Sequence, residues 1–347
     1  MVEDLWESII TPQPVFVIAE AGVNHNGDSS LAKEMIDAAS GAGADAVKFQ
    51  TFKAERLASR TAPKAGYQLK HTDAAESQFH MLKRLEISEK VHVELMEYCK
   101  KKDIVFLSSA FDETCVDFLL SLGVAVFKIP SGEITNLPYL RHLASKGKPM
   151  IMSTGMAVME EIDAALNCLE DTGNRKVVLL QCVSNYPASY EDVNLRAMST
   201  IADTFHVPVG YSDHTPGIEI PLAAAAMGAC VIEKHFTMDR KLKGPDHAAS
   251  LEPPELEQMI RGIRHIEKAL GNGEKIPATS ERDTALVARK SLVAARDIFT
   301  GEILTRELIA AKRPGTGLPP SMLTALTGRR AVRDIREGTL LSVEMIQ

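Results

Sequence analysis

The sequence predicts an α/β protein, a (β/α)8 TIM barrel followed by a small C-terminal domain. Runs rich in valine, isoleucine and phenylalanine alternate eight times with segments of helical periodicity. These runs are apolar along almost their whole length, as expected for parallel strands that are covered on both faces. Eight such units within about 260 residues have the size of a TIM barrel. A doubly wound open sheet is the alternative, but the first turn, AGVNHNGD, lacks the G-x-G-x-x-G pattern of that fold.

The eight apolar runs are the predicted strands. Their bounds are Val15–Glu20, Ala46–Gln50, Ile104–Ser108, Ala125–Ile129, Pro149–Ser153, Val177–Cys182, Val207–Tyr211 and Cys230–Phe236. Helical periodicity lies between and after them, at Ser29–Ser40, Ser88–Lys101, Glu113–Leu122, Val158–Leu169 and Glu255–Leu270. Gly43, Gly123, Gly147 and Gly228 are predicted to end helices, because glycine is common just after a helix C-terminus.

The connection between Gln50 and Ser88 is unusually long and polar, and it contains the segments KAGYQ and ESQ. Long connections in compact domains are usually functional. We therefore predict that this one is a loop of the active site.

The stretch from Val207 to His247 contains two histidines, each at the end of a predicted strand. An alanine-rich segment of helical length joins the two strands, so they are predicted to be parallel neighbours. His214 and His235 would then lie at the same end of the barrel, where two imidazoles could share one divalent metal ion. The alternative is that each is a hydrogen-bonded loop histidine.

Polar residues also end the other predicted strands. They are Glu20, Lys48, Gln50, Ser108, Ser109, Lys128, Ser131, Glu133, Ser153, Asn185, Tyr186 and Ser212. Lys48 in AVKFQ and Lys128 in VFKIPSG have apolar residues on both sides, so we predict that they face inward rather than lie at the surface. Two lysines and several hydroxyl groups at one end of a barrel would bind a phosphate or a carboxylate.

Composition and charge argue against several functional classes. The net charge of −7 and the pI near 5.9 argue against nucleic-acid binding. The sequence shows neither a signal peptide nor an apolar run long enough to span a bilayer, so we expect no membrane partner. The five cysteines lack C-x-x-C spacing, which indicates reduced thiols in a cytoplasmic protein.

The predicted domains are a barrel at 1–270, a polar linker at 271–284 and a C-terminal domain at 285–347. The last domain contains an internal repeat, ARDIFTGEILTRELI at Ala295–Ile309 and VRDIREGTLLSVEMI at Val332–Ile346. A short element used twice predicts a compact module with pseudo-twofold symmetry. The segment between the copies, KRPGTGLPP, is either a solvated loop or a lid that reaches into an active site.

Eight motifs occur in the order EAGVNHNGD, DAVKFQTFKAE, FKIPSGE, STGM, GYSDHT, EKHFT, GPDH and KRPGTG. Together they resemble the sialic acid (nonulosonic acid) synthase family. The resemblance covers nearly the whole chain and includes a C-terminal domain similar to type III antifreeze proteins, of the SAF or β-clip type. It implies condensation of phosphoenolpyruvate with an open-chain 2-acetamido sugar, giving a nine-carbon 2-keto acid and phosphate.

The resemblance also implies roles for single residues. His214 and His235 match two ligands of a divalent metal ion, Mn²⁺ or Mg²⁺, and Glu20 matches a proposed acid/base. The residues that match the phosphoenolpyruvate site are Lys48, Lys128, Ser131, Ser153 and Ser212. Those that match contacts to the sugar are Gln50, Glu133, Tyr186 and Asp246. Ser109 is added to the substrate-binding residues because of its strand-end position, and Glu133 is also a catalytic candidate.

Arg313 in KRPG matches an arginine that reaches from the C-terminal domain of one subunit into the barrel of the other. There it binds the N-acetyl group of the sugar. The resemblance therefore implies a homodimer with exchanged C-terminal domains, in which Arg313 is both a catalytic and a substrate-binding residue.

The sequence departs from the family at one point. Synthases that use N-acetylmannosamine can show Cys-Thr-Asn-Ile-Tyr after strand six, whereas this chain has Cys182-Val183-Ser184-Asn185-Tyr186. The asparagine is displaced by one position, and such a shift turns a side chain to the other face. Either Ser184, or Asn185 with a changed backbone path, is therefore expected to contact the substrate. This motif, with APKAGYQ and ESQ, favours a synthase of N,N′-diacetyllegionaminic acid, made from 2,4-diacetamido-2,4,6-trideoxymannose, over a synthase of N-acetylneuraminic acid.

Two other functional classes remain open at this point. A metal-dependent aldolase on the same barrel would explain the histidines and lysines but not the appended domain. A non-catalytic sugar- or ice-binding protein would explain the tail alone. Ice binding requires a flat surface with little charge, and this tail is rich in arginine.

Overall fold

The computed structural model describes residues 2–73 and 75–347, without the side chains of residues 2–4, 70 and 71. The chain divides into two compact units, and the boundary between them in the sequence lies between Gly271 and Asn272. The domain boundaries predicted above, with a linker at 271–284, stay predictions. No helix in the described part of the chain is both long enough and apolar enough to cross a membrane.

The first unit is a closed barrel of eight parallel strands that follow one another in chain order. The strands are β1 Phe16–Gly22, β2 Ala46–Thr51, β3 Val105–Ala110, β4 Phe127–Ile129, β5 Met150–Ser153, β6 Val177–Cys182, β7 Val209–Asp213 and β8 Val231–His235. The TIM barrel predicted from the sequence is therefore confirmed. Every predicted strand is present, and no strand end differs by more than two residues from its predicted position.

Helices precede, connect and follow the strands. They are α1 Val2–Ile10, α2 Ser29–Gly41, α3 Ala54–Leu57, α4 Gly66–His71, α5 Gln78–Leu85, α6 Glu89–Lys101, α7 Glu113–Leu122, α8 Leu137–Ala144, α9 Met159–Glu170, α10 Ala197–Phe205, α11 Glu219–Ala226 and α12 Pro253–Leu270. Aspartate and serine caps begin several of them; Asp112, for example, accepts a hydrogen bond from the Cys115 N–H at the start of α7. Gly123 ends α7 with a φ of 90°, a left-handed conformation that suits glycine.

Helix α1 was not predicted, although it closes the lower end of the barrel. Trp6 and Ile9 are buried and belong to one apolar cluster with inward residues of the strands. Those residues are Phe16, Ile18, Ala46, Leu107, Val126, Ile151, Val178, Leu180 and Val231. The interior of the barrel is therefore solid hydrocarbon at its lower end, as is usual for this fold.

The same inward rows become polar toward the carboxyl ends of the strands. On β1 the inward position after Ile18 is Glu20, and on β2 the inward position after Ala46 is Lys48, because side chains alternate along a strand. Both side chains are buried. The outward rows remain apolar and pack against the helices in a second, larger cluster. The polar upper layer is thus the part of the barrel interior that packing alone does not explain.

The second unit contains an antiparallel pair of strands, β9 Ser291–Ala294 and β10 Ile309–Lys312, with α13 Arg282–Ala288 and α14 Leu323–Leu326. Its own apolar core includes Leu292, Leu304 and Leu341. Ile298 and Ile335 occupy equivalent positions in the sequence repeat, and each donates a 2.8 Å backbone hydrogen bond to the other. Such a reciprocal pair is what a local twofold axis produces, and it agrees with the predicted pseudo-symmetry.

Gly210 on β7 provides a test of the packing inside the barrel. A Cβ atom at this position would lie 2.4 Å from the Val231 carbonyl oxygen and 2.7 Å from Leu180 Cδ2. A backbone atom cannot move aside, so we expect Gly210→Ala to lower the free energy of unfolding by about 1–3 kcal/mol, as overpacking does. Urea denaturation of the purified protein measures this change.

Gly41→Ala is the matched control, because a Cβ atom there meets nothing within 4 Å at the end of α2. This variant should be neutral or stabilising by up to about 1 kcal/mol. Equal stability of the two variants would contradict the tight packing described for β7.

Candidate active site

A cavity of about 460 Å³ opens at the carboxyl ends of the barrel strands. Active sites of this fold lie at that end. Most residues predicted from the sequence to form the site line this cavity: Glu20, Lys48, Gln50, Ser109, Lys128, Ser131, Ser153, Tyr186, Ser212, His214, His235 and Asp246. The eight strands therefore bring together residues that are more than 200 positions apart in the chain.

Three of the predicted site residues do not line the cavity. Glu133 lies in the turn after β4, where its carboxylate accepts a 2.7 Å hydrogen bond from the Asn136 side chain. Burial raises the pKa of this carboxyl group. Asn185 is exposed. Arg313 belongs to the second unit, where it is exposed and its Nε donates a hydrogen bond to the Ala288 carbonyl oxygen.

Four buried charges form the floor of the cavity. Lys48 Nζ lies 2.7 Å from Glu20 Oε2 and 3.7 Å from Glu233 Oε2. Lys128 Nζ lies 3.6 Å from Glu233 Oε1. All four side chains are less than a tenth exposed, so each charge must be compensated by its neighbours. When Glu20 is ionised, two ammonium groups and two carboxylates give a chain of alternating charge that is neutral as a whole.

The two carboxyl groups of this charge quartet have pKa values shifted in opposite directions. Burial, with a contribution from Glu233, raises the pKa of Glu20 to about 7 although Lys48 opposes the shift. Glu233 is equally buried, but the two lysines and the Ser212 hydroxyl outweigh that effect and lower its pKa. Glu233 is thus the permanent counter-ion of the pair, while Glu20 can gain or lose a proton near neutral pH.

Hydroxyl groups complete the surroundings of the lysines. Lys48 Nζ donates a hydrogen bond to Ser109 Oγ at 3.0 Å, and Lys128 Nζ donates one to Ser153 Oγ at 2.7 Å. The Gly155 N–H donates to Ser131 Oγ at 3.0 Å. Ammonium and hydroxyl donors that converge on one cavity are the groups that bind phosphate and carboxylate oxygens.

His214 and His235 follow β7 and close β8, and their ring centroids are 5.4 Å apart. Nδ1 of His214 lies 2.7 Å from the Val183 carbonyl oxygen, which fixes the proton on Nδ1 and leaves Nε2 as a free acceptor. Burial, and then the charge of His214 and of nearby lysines, lowers the pKa of His235 well below the usual range. His235 is therefore a neutral imidazole with a free lone pair.

The histidine pair fits a divalent metal ion. Nδ1 of His235 is buried and has no hydrogen-bond partner among the described residues, so the pair offers an unused ring nitrogen. Within the same part of the chain, no group of three or more histidine, cysteine, aspartate or glutamate side chains is arranged to hold a metal ion. A cation there would have two protein ligands and several open positions.

Tyr186 and Asp246 lie close to the histidines. The Tyr186 ring centroid is 4.1 Å from that of His214 and 5.5 Å from that of His235. Asp246, in the loop after β8, is buried, and burial raises its pKa to about 6 although His214 opposes the shift. Both residues bring polar atoms to the side of the cavity that faces the histidine pair.

The long connection after β2 also reaches the cavity. Its lining residues are Ala65, Tyr67, Gln68, Gln78, Met81, Leu82 and Leu85. The Tyr67 ring centroid is 4.9 Å from that of Tyr186. The segments KAGYQ and ESQ, noted in the sequence for their place in an unusually long connection, thus form one wall of the site.

The prediction of site residues missed Glu233 and left Ser184 undecided. Glu233 shares a strand face with His235, but its ion pairs with Lys48 and Lys128 give no local signal in the sequence. Ser184 lines the cavity, whereas its neighbour Asn185 does not. Gly155 allows this approach, because a Cβ atom there would lie 2.3 Å from Ser184 Oγ.

Comparison with known proteins agrees with these observations. Residues 35–275 match the NeuB family, and residues 289–347 match the SAF domain. An N,N′-diacetyllegionaminic acid synthase of Legionella pneumophila is 51% identical over 336 residues, which cover 96% of this chain and 94% of that protein. A synthase of the same name from Campylobacter jejuni is 50% identical over 94% of this chain and 98% of its own length.

A solved structure gives the same result for the fold. The N-acetylneuraminic acid synthetase of Leptospira borgpetersenii, in complex with citrate, superposes with a TM-score of 0.71 at 38% sequence identity. The match covers 79% of this chain and 90% of that protein. Both the barrel and the C-terminal domain predicted from the sequence are thus found in related proteins.

The buried carboxyl group of Glu20 should make stability depend on pH. Its pKa is about 7 in the folded protein against 4.5 when unperturbed, so the unfolded state loses its proton first as pH rises. Stability should therefore fall between pH 4.5 and about 7, by about 3 kcal/mol for this group alone.

Glu20→Gln removes this titration. Urea denaturation of both proteins across this pH range should show the parent losing stability relative to Glu20→Gln as pH rises. A constant offset at low pH reports the replacement of a neutral carboxyl group by an amide and does not affect the slope. Parallel stability profiles would show that Glu20 titrates normally.

Proposed function

The chain belongs to the NeuB family of sialic acid (nonulosonic acid) synthases, and we propose that it makes N,N′-diacetyllegionaminic acid. The substrates would be phosphoenolpyruvate and open-chain 2,4-diacetamido-2,4,6-trideoxymannose, and the second product would be phosphate. The observation that carries the proposal is the pair of buried lysines with their hydroxyl groups, placed beside the imidazole groups of His214 and His235 in one cavity.

Phosphoenolpyruvate would bind between the two lysines. Its carboxylate and phosphate are both anionic, and Lys48, Lys128, Ser131, Ser153 and Ser212 provide donors from five different elements. With Glu20 ionised, the charge quartet is neutral without substrate. An anion that enters the cavity would therefore compete with Glu233 for the two lysines. Ser109 would orient Lys48 through the hydrogen bond already present.

His214 and His235 would hold the divalent metal ion, Mn²⁺ or Mg²⁺. When bound, the cation supplies Lewis-acid polarisation of a carbonyl group. The chain itself orients His214 through the Val183 carbonyl, and burial keeps the His235 imidazole neutral. Because a metal ion competes with protons for these nitrogens, its affinity should fall in acid.

The reaction joins C3 of phosphoenolpyruvate to the aldehyde carbon of the sugar. Water then adds at C2, and the resulting tetrahedral carbon expels phosphate, so the carbon–oxygen bond breaks rather than the phosphorus–oxygen bond. Glu20 is proposed to transfer a proton near the reacting carbons, since its pKa of about 7 lets it exist in both forms. Lys48 and Lys128 would stabilise the negative charge on the phosphate and carboxylate groups.

The sugar would occupy the side of the cavity formed by Gln50, Tyr186, Asp246 and the long connection after β2. Tyr67, Gln68 and Gln78 line that wall and combine aromatic surface with amide groups. Acetamido substituents need both a hydrogen-bonding partner and apolar contact for the methyl group. The names of the relatives at 50% and 51% identity favour the diacetamido sugar over N-acetylmannosamine. Ser184, rather than Asn185, would contact it.

The active form is proposed to be a homodimer with exchanged C-terminal domains. Arg313 is exposed in its own unit, and among the described residues its only hydrogen bond is from Nε. The guanidinium Nη atoms would then bind the acetamido group of a sugar in the partner's barrel, and Glu133 would complete that site. A cytoplasmic location is proposed, because the five cysteines are unpaired thiols and phosphoenolpyruvate is a cytoplasmic metabolite.

Incubation with isotopically labelled substrate tests the proposed reaction. Purified protein, Mn²⁺, the diacetamido sugar and phosphoenolpyruvate with ¹⁸O in the bridging position should yield a nonulosonic acid and labelled phosphate. N-acetylmannosamine should react with a lower kcat/KM, and EDTA should abolish turnover. An aldolase would release no phosphate. Label retained in the keto acid, or full activity in EDTA, would refute the scheme.

Subunit mixing tests the role of Arg313. A hydrogen bond from a charged donor contributes about 1.5–3 kcal/mol, so Arg313→Ala should lower kcat/KM by about 10- to 150-fold. Mixing Arg313→Ala with Glu20→Ala subunits should restore activity, because each heterodimer has one site with both residues intact. Arg329→Ala, another exposed arginine of the same unit, is the control and should retain activity. Verified heterodimers without any recovery would show that either the exchange or the role of Arg313 is wrong.

A further inference from the structure

We propose that the buried pair Asp213–Lys234 is a positioning device that fixes the separation of His214 and His235 and so sets the affinity for the divalent cation. The inference rests on the proposed function, which places the cation between these histidines. The two charged residues do not line the cavity. They would act only through the histidines that follow them in the chain.

The register of the barrel places this pair directly behind the histidines. Asp213 on β7 is the Cα partner of Lys234 on β8, and the residue that follows each of them in the chain is a histidine. Side chains alternate along a strand, so the ion pair lies on the outward face while the imidazoles face the cavity. Asp213 and Lys234 form a salt bridge, and both side chains are completely buried.

A single ammonium group holds the chain on both sides of His214. Lys234 Nζ donates one hydrogen bond to Asp213 Oδ2 and another to the Thr215 carbonyl oxygen. Asp213 Oδ1 in turn accepts hydrogen bonds from the Thr215 N–H at 3.1 Å and from Thr215 Oγ1 at 3.0 Å. Since Lys234 also precedes His235 directly, its position fixes the backbone that carries both imidazoles.

Stability does not explain this arrangement. The outward neighbours of the pair on the same strands, Tyr211 and Ile232, belong to the apolar layer between strands and helices. A buried ion pair in such a layer is commonly no more stabilising than apolar residues of similar size, because desolvation offsets the attraction between the charges. Unlike apolar side chains, the pair provides hydrogen bonds of defined direction between the ends of two strands.

Binding of Mn²⁺ to the metal-free full-length protein tests the inference without any substrate. Electron paramagnetic resonance of free Mn²⁺ gives the dissociation constant directly. The variant Asp213→Asn/Lys234→Met removes both charges, keeps an acceptor for Thr215 and retains the volume of the lysine stem. We expect its dissociation constant for Mn²⁺ to rise by about 10- to 100-fold, as for the loss of residues that orient metal ligands. Its melting temperature should stay within a few degrees of the parent.

The matched control is Asp45→Asn/Arg264→Met, which removes an ion pair of 2.9 Å next to the start of β2, at the opposite end of the barrel. It should leave the Mn²⁺ affinity unchanged. A folded Asp213→Asn/Lys234→Met protein that binds Mn²⁺ as tightly as the parent would overturn the positioning role. If the parent itself does not bind Mn²⁺, the proposed function fails at its metal site and this inference fails with it.

Asp213→Glu is the second variant. It keeps both charges, so Lys234 retains a buried counter-ion, but the longer side chain moves the carboxylate relative to Thr215 at a cost of about 1–3 kcal/mol from overpacking. If the double variant does not fold, this protein decides the question. A several-fold weaker Mn²⁺ affinity of the folded Asp213→Glu protein supports the positioning role, and an unchanged affinity overturns it.

Discussion

The arrangement of the barrel depends on the need to keep two lysine side chains charged inside a protein. Lys48 on β2 and Lys128 on β4 project into a closed barrel whose lower interior is filled with apolar side chains. Neither could remain an ammonium group there without carboxylates within a few ångströms. Glu20 and Glu233 supply those carboxylates, and the hydroxyl groups of the adjoining strands occupy the remaining donors. The result is a site whose charges balance when Glu20 is ionised and whose lysines can bind an anion that enters the cavity.

Much of this could be predicted from the sequence because the signals were local. The apolar runs are short and continuous, which fixed the strands to within two residues, and Lys48 and Lys128 stand out within them. The ion pairs of Glu233 could not be predicted, because they depend on the register between distant strands. Helix α1 was missed for a similar reason: its apolar residues Trp6 and Ile9 form only a short pattern, and their partners lie in the strands.

The choice between Ser184 and Asn185 shows where sequence patterns stop being informative. Both residues are polar and follow the same strand, so alternation alone cannot say which of them turns inward once the strand has ended. The structure places Ser184 in the cavity, and that depends on Gly155 in a different loop having no side chain. The position of Ser184 thus depends on a residue in another loop. The sequence indicates that the long connection after β2 belongs to the active site, but only the structure shows that its Tyr67 contacts Tyr186.

The position of Trp6 has a practical consequence for spectroscopy. It is the sole tryptophan of the chain, and it is buried at the lower end of the barrel, among the apolar residues that α1 covers. Intrinsic fluorescence of this protein therefore reports the integrity of the end of the barrel that carries no chemistry. A change in emission signals that α1 has separated from the strands, while ligands that enter from the other end leave the indole in the same surroundings. Tryptophan emission can accordingly follow unfolding of the barrel without interference from ligand binding.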